Sequence, residues 1–162
     1  MEIIDKEDML FERTVFEKSS FETHPKITIA LDFDCTVIES SYPNVGKSLP
    51  LCVDTLRRWI RDYNVGLILC TMRDGKELED AIKWFNDNHI LLYGIQKHPT
   101  QETWTTSPKC HCSACIDDRN VGTKLKLDDN GVPCVDWQWI INVFEPTLKA
   151  LSKRYNNSQE SE

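Results

Sequence analysis

The chain has 162 residues, 40% of them apolar and 28% charged, and a formal net charge of -7. That length fits one domain with a core of its own, and the acidic balance argues against a protein that coats duplex nucleic acid, where phosphate contacts reward Lys and Arg. No apolar run reaches the length of a membrane span, the start "MEIIDKEDMLFERTVFEKSS" lacks a signal-peptide core, and seven cysteines, an odd number, read as reduced thiols in a cytoplasmic protein.

Residues 1–26 read as an N-terminal arm, with Ile3, Ile4, Met9, Leu10, Phe11, Val15 and Phe16 hinting at one or two short helices. The domain proper is expected over 27–152. Ile27 to Phe33 reads as a buried strand, short, continuous and rich in β-branched residues. Ser41 to Ser48 reads as a loop. Pro50 suits the first turn of a helix behind Ser48 as a cap. Leu56, Trp59, Ile60 and Tyr63 keep helical spacing, and Asn64-Val65-Gly66 ends that helix. Leu67 to Cys70 is a second strand. Asp74 with Glu77 resembles a capping box, and Leu78, Ile82 and Phe85 line one helical face. Ile90 to Ile95 is a third strand, Lys97 to Pro108 a polar loop, and Cys112 to Ile116 a fourth strand. Asn120 to Val135 reads mostly as loop, with Asp128-Asp129-Asn130-Gly131 as a turn. Trp137, Ile140, Ile141 and Phe144 form a last helical face before Pro146, and residues 153–162, ending "NNSQESE", read as a disordered tail.

Short apolar strands alternating with amphipathic helices predict an α/β fold with a mostly parallel sheet covered on both faces, three-layered and Rossmann-like. Ligands in such folds sit beyond the carboxyl ends of the strands. Asp32 and Asp34 emerge there from the first strand, Thr71 from the second in "GLILCT", and Asp117-Asp118 from the fourth in "SACIDD". Carboxylates gathered at one edge repel each other, and a cation relieves that. Magnesium (Mg2+) is the hard, oxygen-seeking ion that accepts carboxylates and works beside phosphate. A carboxylate near it can attack a phosphoryl group, a second can protonate the leaving oxygen and later activate water, and a hydroxyl and an ammonium can hold the spare oxygens.

At these residues the chain resembles the haloacid dehalogenase-like superfamily. "DFDCT" is similar to its first motif, D-x-D-x-T; "LILCT" to its second; Lys109 in "SPKCHCSACIDD" sits where the third-motif lysine belongs; "IDD" resembles the acidic fourth motif. With "LCVDTLRRW", "TMRDG", "IDDRNVG" and "VDWQWI", the chain looks like small hydrolase-like members of bacteria and phages over about Ile27 to Phe144. The resemblance implies a magnesium-dependent phosphatase acting through an aspartyl phosphate. Asp32 is then nucleophile and metal ligand. Asp34 is general acid/base and binds metal through its backbone carbonyl. Thr71 and Lys109 hold the phosphoryl group, and Asp118 ligates metal with Asp117 in support. Which of that pair touches metal stays open. Cys35 stands where many members have Gly.

Each residue also has a plainer reading: the acids as solvated strand ends, Thr71 as a turn hydroxyl, Lys109 as a surface lysine with Lys97 in reserve. "CHCSAC" offers a C-x-x-C spacing for zinc. Against that, no second pair follows, and a strand over Cys112 to Ile116 would point Cys112 and Cys115 to opposite faces. Buried reduced thiols are the duller account. Trp59, Trp84, Trp137 and Trp139 read as core, and Trp104 either borders the site or pins its loop. Neither Asp34 to Leu51 nor Thr71 to Lys109 has room for a separate cap domain, so the site is expected to be open. That suits a phosphorylated nucleic-acid end or protein, or a small molecule under a covering arm, away from any membrane. Two other classes compete with the phosphatase: a catalytically weak binding or interaction protein that keeps the metal site as scaffold, and a zinc-dependent interaction module.

Overall fold

In the computed structural model, residues 24–159 are described; the helices hinted at between Ile3 and Phe16, and residues 160–162, lie outside them. The elements in chain order are β1 (Ile27–Leu31), α1 (Cys52–Tyr63), β2 (Val65–Leu69), α2 (Gly75–Asp87), β3 (Leu92–Ile95), a 3-10 turn (Gln101–Thr103), β4 (Ala114–Ile116), β5 (Leu125–Leu127), β6 (Pro133–Val135) and α3 (Trp137–Gln159). A four-stranded sheet has the order β3-β2-β1-β4, and every pairing in it is parallel. This is the expected α/β architecture, Rossmann-like in its sheet, but the expected three layers are not seen among the described residues, whose helices cover one face only. The chain steps outward through β1, β2 and β3 and then returns to the far side of β1, so the order reverses between β1 and β4. That is the place where an open parallel sheet offers a crevice.

Register assigns the side chains to faces, because residues alternate along each strand. Ile29, Leu67 and Leu92 are partners, as are Leu31, Leu69 and Ile116. These large aliphatics join one core with the buried residues of all three helices, among them Leu56, Trp59, Phe85, Trp137 and Leu148. Trp59 packs against Trp137 and Phe144, while Phe33 meets Trp84 and Phe85. The opposite face holds Thr28 beside Gly66, and Ala30 beside Ile68 and Cys115, with Gly94 beside Ile68. Among the described residues this face is covered by no helix but by the connector 96–113. A Cβ on Gly94 would stand 2.5 Å from the Lys97 carbonyl oxygen, so only glycine lets the connector lie this close. The connector stays irregular because its sequence carries Pro99 and Pro108 and no apolar periodicity.

Strand limits shift by up to two residues from the sequence reading, and three expectations are amended. First, the stretch Asn120 to Val135 is mostly loop but not only that: the short strands β5 and β6 form an antiparallel hairpin within it. Asp128 to Gly131 makes its turn, with Asn130 N–H donating to Asp128 Oδ1 at 2.8 Å and Gly131 supplying a φ of 76°. Second, α3 does not stop at Pro146 but runs to Gln159, through residues expected to be disordered. Proline removes one bond, to the carbonyl of Asn142, yet the fully buried Leu148 and the packed Leu151 hold the helix on the core. Third, Ser48 does not cap α1; it pairs with Ile38 in an isolated bridge, and no side chain caps that helix. Asp74 does sit at the N-cap of α2, but the reciprocal capping box is not made. No described helix is long and apolar enough to cross a membrane.

Candidate active site

The polypeptide leaves β1 with Asp32 N–H still donating to Ile116 O at 3.0 Å, which ties the first carboxylate to the end of β4. The backbone then turns sharply. Val37 N–H donates to Phe33 O at 2.9 Å, and Cys35 adopts φ 54°. Glycine would take that left-handed conformation freely, so cysteine there carries local strain. The turn brings Thr36, fully buried, under Asp32. Its hydroxyl donates to Asp32 Oδ2 at 3.0 Å and accepts from Asp118 N–H at 3.1 Å. Trp137 Nε1 donates to Thr36 O at 2.7 Å and fixes the residue from the helix side.

Carboxylate oxygens of Asp32, Asp117 and Asp118 lie within 4.8 Å of one another. Burial, opposed by the Phe33 N–H and reinforced by Asp117, pushes the Asp32 carboxyl up to about 7. Burial and then Asp117 also raise Asp118. Three crowded, half-buried oxygen donors fit a hard divalent cation, which would hold them all ionised.

Asp34 stands apart from this trio. Arg73 Nε and Nη2 donate to its two oxygens, each at 2.7 Å. The Arg73 side chain is 1% exposed. It also donates to the carbonyls of Pro43 and Asn44 at 2.9 and 2.8 Å, and lies over the rings of Phe33 and Tyr42. Every donor of the guanidinium fork is thus engaged or shielded. Thr71 is on the same edge, half-buried, with its hydroxyl accepting from Arg73 N–H at 3.2 Å and its backbone paired with the Gln96 amide.

Lys109 is exposed, and its charge is felt by Cys115. Its backbone is held by Gln101, buried in the connector. Gln101 Nε2 donates to Ser107 O and Lys109 O at 2.9 and 2.7 Å, and its Oε1 accepts from His111 N–H at 2.9 Å, which lays this run along the sheet. The reserve candidate Lys97 is paired with Glu102 at 2.6 Å. Trp104 is exposed and meets the His111 ring edge-on.

The objection to a shared position of Cys112 and Cys115 is overturned. β4 begins only at Ala114, so Cys112 precedes the strand, and the two sulfurs stand 3.4 Å apart. Two residues that shape the site were missed in the sequence. Thr36 is the last residue of D-x-D-x-T, and the sequence alone assigns it no role. Arg73 carried one available signal, a cation two residues beyond a strand that ends among aspartates.

The fold and the site together define an α/β protein with a carboxylate centre at the point where the strand order reverses. No family model and no curated protein matches the chain. Among solved structures it is similar to a conserved protein from Bacteroides thetaiotaomicron, at 34% identity and a TM-score of 0.61, covering 75% of this chain and 91% of that one. The chain belongs to the family of that conserved protein.

Proposed function

We propose that this chain is a capless haloacid dehalogenase-like phosphatase that uses magnesium and forms an aspartyl phosphate on Asp32. One observation carries the reading: Asp32, Asp117 and Asp118 converge at the sheet's reversal point, with Asp32 oriented by Thr36. Asp32 would attack phosphorus while the leaving oxygen takes a proton from Asp34. Asp34 would then accept a proton from the water that attacks the acyl phosphate, which frees Asp32 and inorganic phosphate. Magnesium, when bound to Asp32 and the acidic pair, would neutralise the carboxylates and phosphoryl oxygens. Thr71, on the same edge, would hold a phosphoryl oxygen; no observed contact supports a part for Lys109. Tyr42, Met72 and Val121, on the three loops that leave β1, β2 and β4, are all exposed, which suits a phosphate carried on a large substrate such as a nucleic-acid end or a protein.

A second reading is favoured by the Arg73 fork. An acid with both oxygens held by a guanidinium must release one before it can protonate anything, so a binding protein that keeps the carboxylate centre as scaffold would look the same. A phosphatase screen separates the two: nucleotides, DNA and RNA ends, sugar phosphates and phosphopeptides, with magnesium or chelator. Turnover that needs magnesium and vanishes in Asp32→Asn supports the enzyme. Wild-type rate in Asp32→Asn would refute the acyl phosphate, and no turnover on any class hands the lead to the binding protein.

A further inference from the structure

The connector 96–113 is long, lacks an α-helix and covers a sheet face that offers Ile68 and Tyr93 among small residues such as Ala30, Gly66 and Gly94, so apolar burial accounts for only part of its fixed course. Four cysteines meet beneath it. Cys70 follows β2, with its N–H donating to Leu31 O at 2.8 Å. It lies two residues beyond Ile68, on the face that Ala30 and Cys115 share. Ala30 is small enough to let Cys70 and Cys115 look across it. Cys110 and Cys112 arrive on the connector itself, held by the Gln101 contact to His111 between them.

Cys112 and Cys115 form a close pair, 3.4 Å apart. Cys70 and Cys110 are electrostatic neighbours, and Cys70 also feels Cys112 and Cys115. Burial first, and then the neighbouring sulfurs, push the Cys70 thiol up, and Cys115 is raised to about 11. Burial raises Cys110 as well, so a cation that takes these sulfurs relieves a cost the metal-free fold imposes on their charged forms. Four ligands around an ion with Zn–S bonds of roughly 2.3 Å have an S···S edge of about 3.8 Å, close to the Cys112–Cys115 separation. Among the described residues only the three carboxylates already have all their ligand atoms within 4.8 Å, so side-chain rotation is needed to close the sulfur set.

We propose that Cys70, Cys110, Cys112 and Cys115 bind one zinc ion, which clamps the connector to the end of β2 and the edge strand β4. The donors are soft, four in number and leave no place for water, the pattern of a closed structural site. Each thiol that becomes a ligand gives its proton to the buffer, and the negative sulfurs gain the cation. This site is separate from the carboxylates, which offer only oxygen.

Cobalt(II) titration of the full chain, purified in a non-thiol reductant, tests it. The expected result is a single tight step at one cobalt per chain, with thiolate-to-metal charge transfer and tetrahedral ligand-field bands, both erased by equimolar zinc. Cobalt on the carboxylates gives no charge-transfer band, so the two centres are told apart. Cys70→Ser and Cys115→Ser should each lose the tight step, while Cys52→Ala, far from the cluster in α1, should keep it. Cys115 is exposed, so its variant folds and a lost band there reports ligation. No charge-transfer band in the wild type, or a band that survives both Ser variants, overturns the proposal. So does a Cys112–Cys115 disulfide that forms equally fast with and without zinc.

Discussion

On the helix-bearing face of the sheet, Ile29, Leu31, Leu67 and Leu69 are fully buried under Trp59, Phe85 and Trp137. On the other face, Thr28, Ala30, Gly66 and Gly94 lie beneath a connector whose contacts are histidine rings, a buried glutamine and thiols. The first face is held by apolar area, which is non-directional and scales with the surface removed from water. The second is held by directional groups, each needing its partner in place. Stability should therefore concentrate on one side of the sheet and chemical sensitivity on the other, with the carboxylate site on the edge between them.

The largest effect should come from the helix-bearing side. Phe33→Ala removes a fully buried ring from Trp84, Phe85 and the Arg73 guanidinium and should cost about 3–5 kcal/mol. Urea unfolding at constant slope measures it, and a loss below about 1 kcal/mol would mean that this face is not the anchor. Next comes Arg73→Ala, which strands Asp34. Breaking a fully buried pair costs roughly 3–5 kcal/mol, and Asp34 is 30% exposed, so about 2 is expected here. A double-mutant cycle with Asp34→Ala should recover part of it; strict additivity would show that the fork does not couple the two loops.

A smaller effect lies in pH. The folded-state pKa of Asp32 is raised to about 7, above the ordinary value of 3.8. A raised folded pKa gives stability that is present at low pH and is lost as pH rises through it. Without metal, the melting temperature of the wild type relative to Asp32→Asn should fall between about pH 4 and pH 7 and level off above, and magnesium should restore most at the upper end. A difference that grows with pH in chelator would show that the carboxylates do not burden the metal-free fold. Smallest of all, Trp104→Ala on the directional side should change stability by no more than about 0.5 kcal/mol, because the ring is exposed. A larger loss would give the connector an apolar anchor it is not expected to have.

Much of the edge was legible because it rests on local signals. The buried strands ending in Asp32 and in Asp117-Asp118 announce themselves by runs of aliphatics that stop at acids, and parallel order then puts those ends together. The hairpin was not legible: "LKL" and "PCV" are three residues each, too short to show a period, and Leu125 and Leu127 are exposed although Cys134 and Val135 opposite them are buried. Pro146 read as a stop because local chemistry disfavours it, and tertiary packing of Leu148 overrode that. Cys70 could not be joined to Cys110, Cys112 and Cys115, nor Arg73 to Asp34, because each meeting depends on register between distant segments.

The turn after β1 is finished by parts of the chain that come much later. Ser40 N–H donates to Asp128 Oδ2 at 2.9 Å, Val135 N–H donates to Cys35 O at 2.8 Å, and Trp137 closes on Thr36. During synthesis, which proceeds from the N-terminus, residues 32–48 emerge long before these partners. The first carboxylate motif must wait in an unfinished shape until the hairpin has left the ribosome. Nascent chains stalled with the ribosome exit just short of Asp128 should leave Cys35 open to a thiol-labelling reagent, and chains released past Trp137 should protect it. Equal labelling of the two would show that the motif completes itself without the later chain.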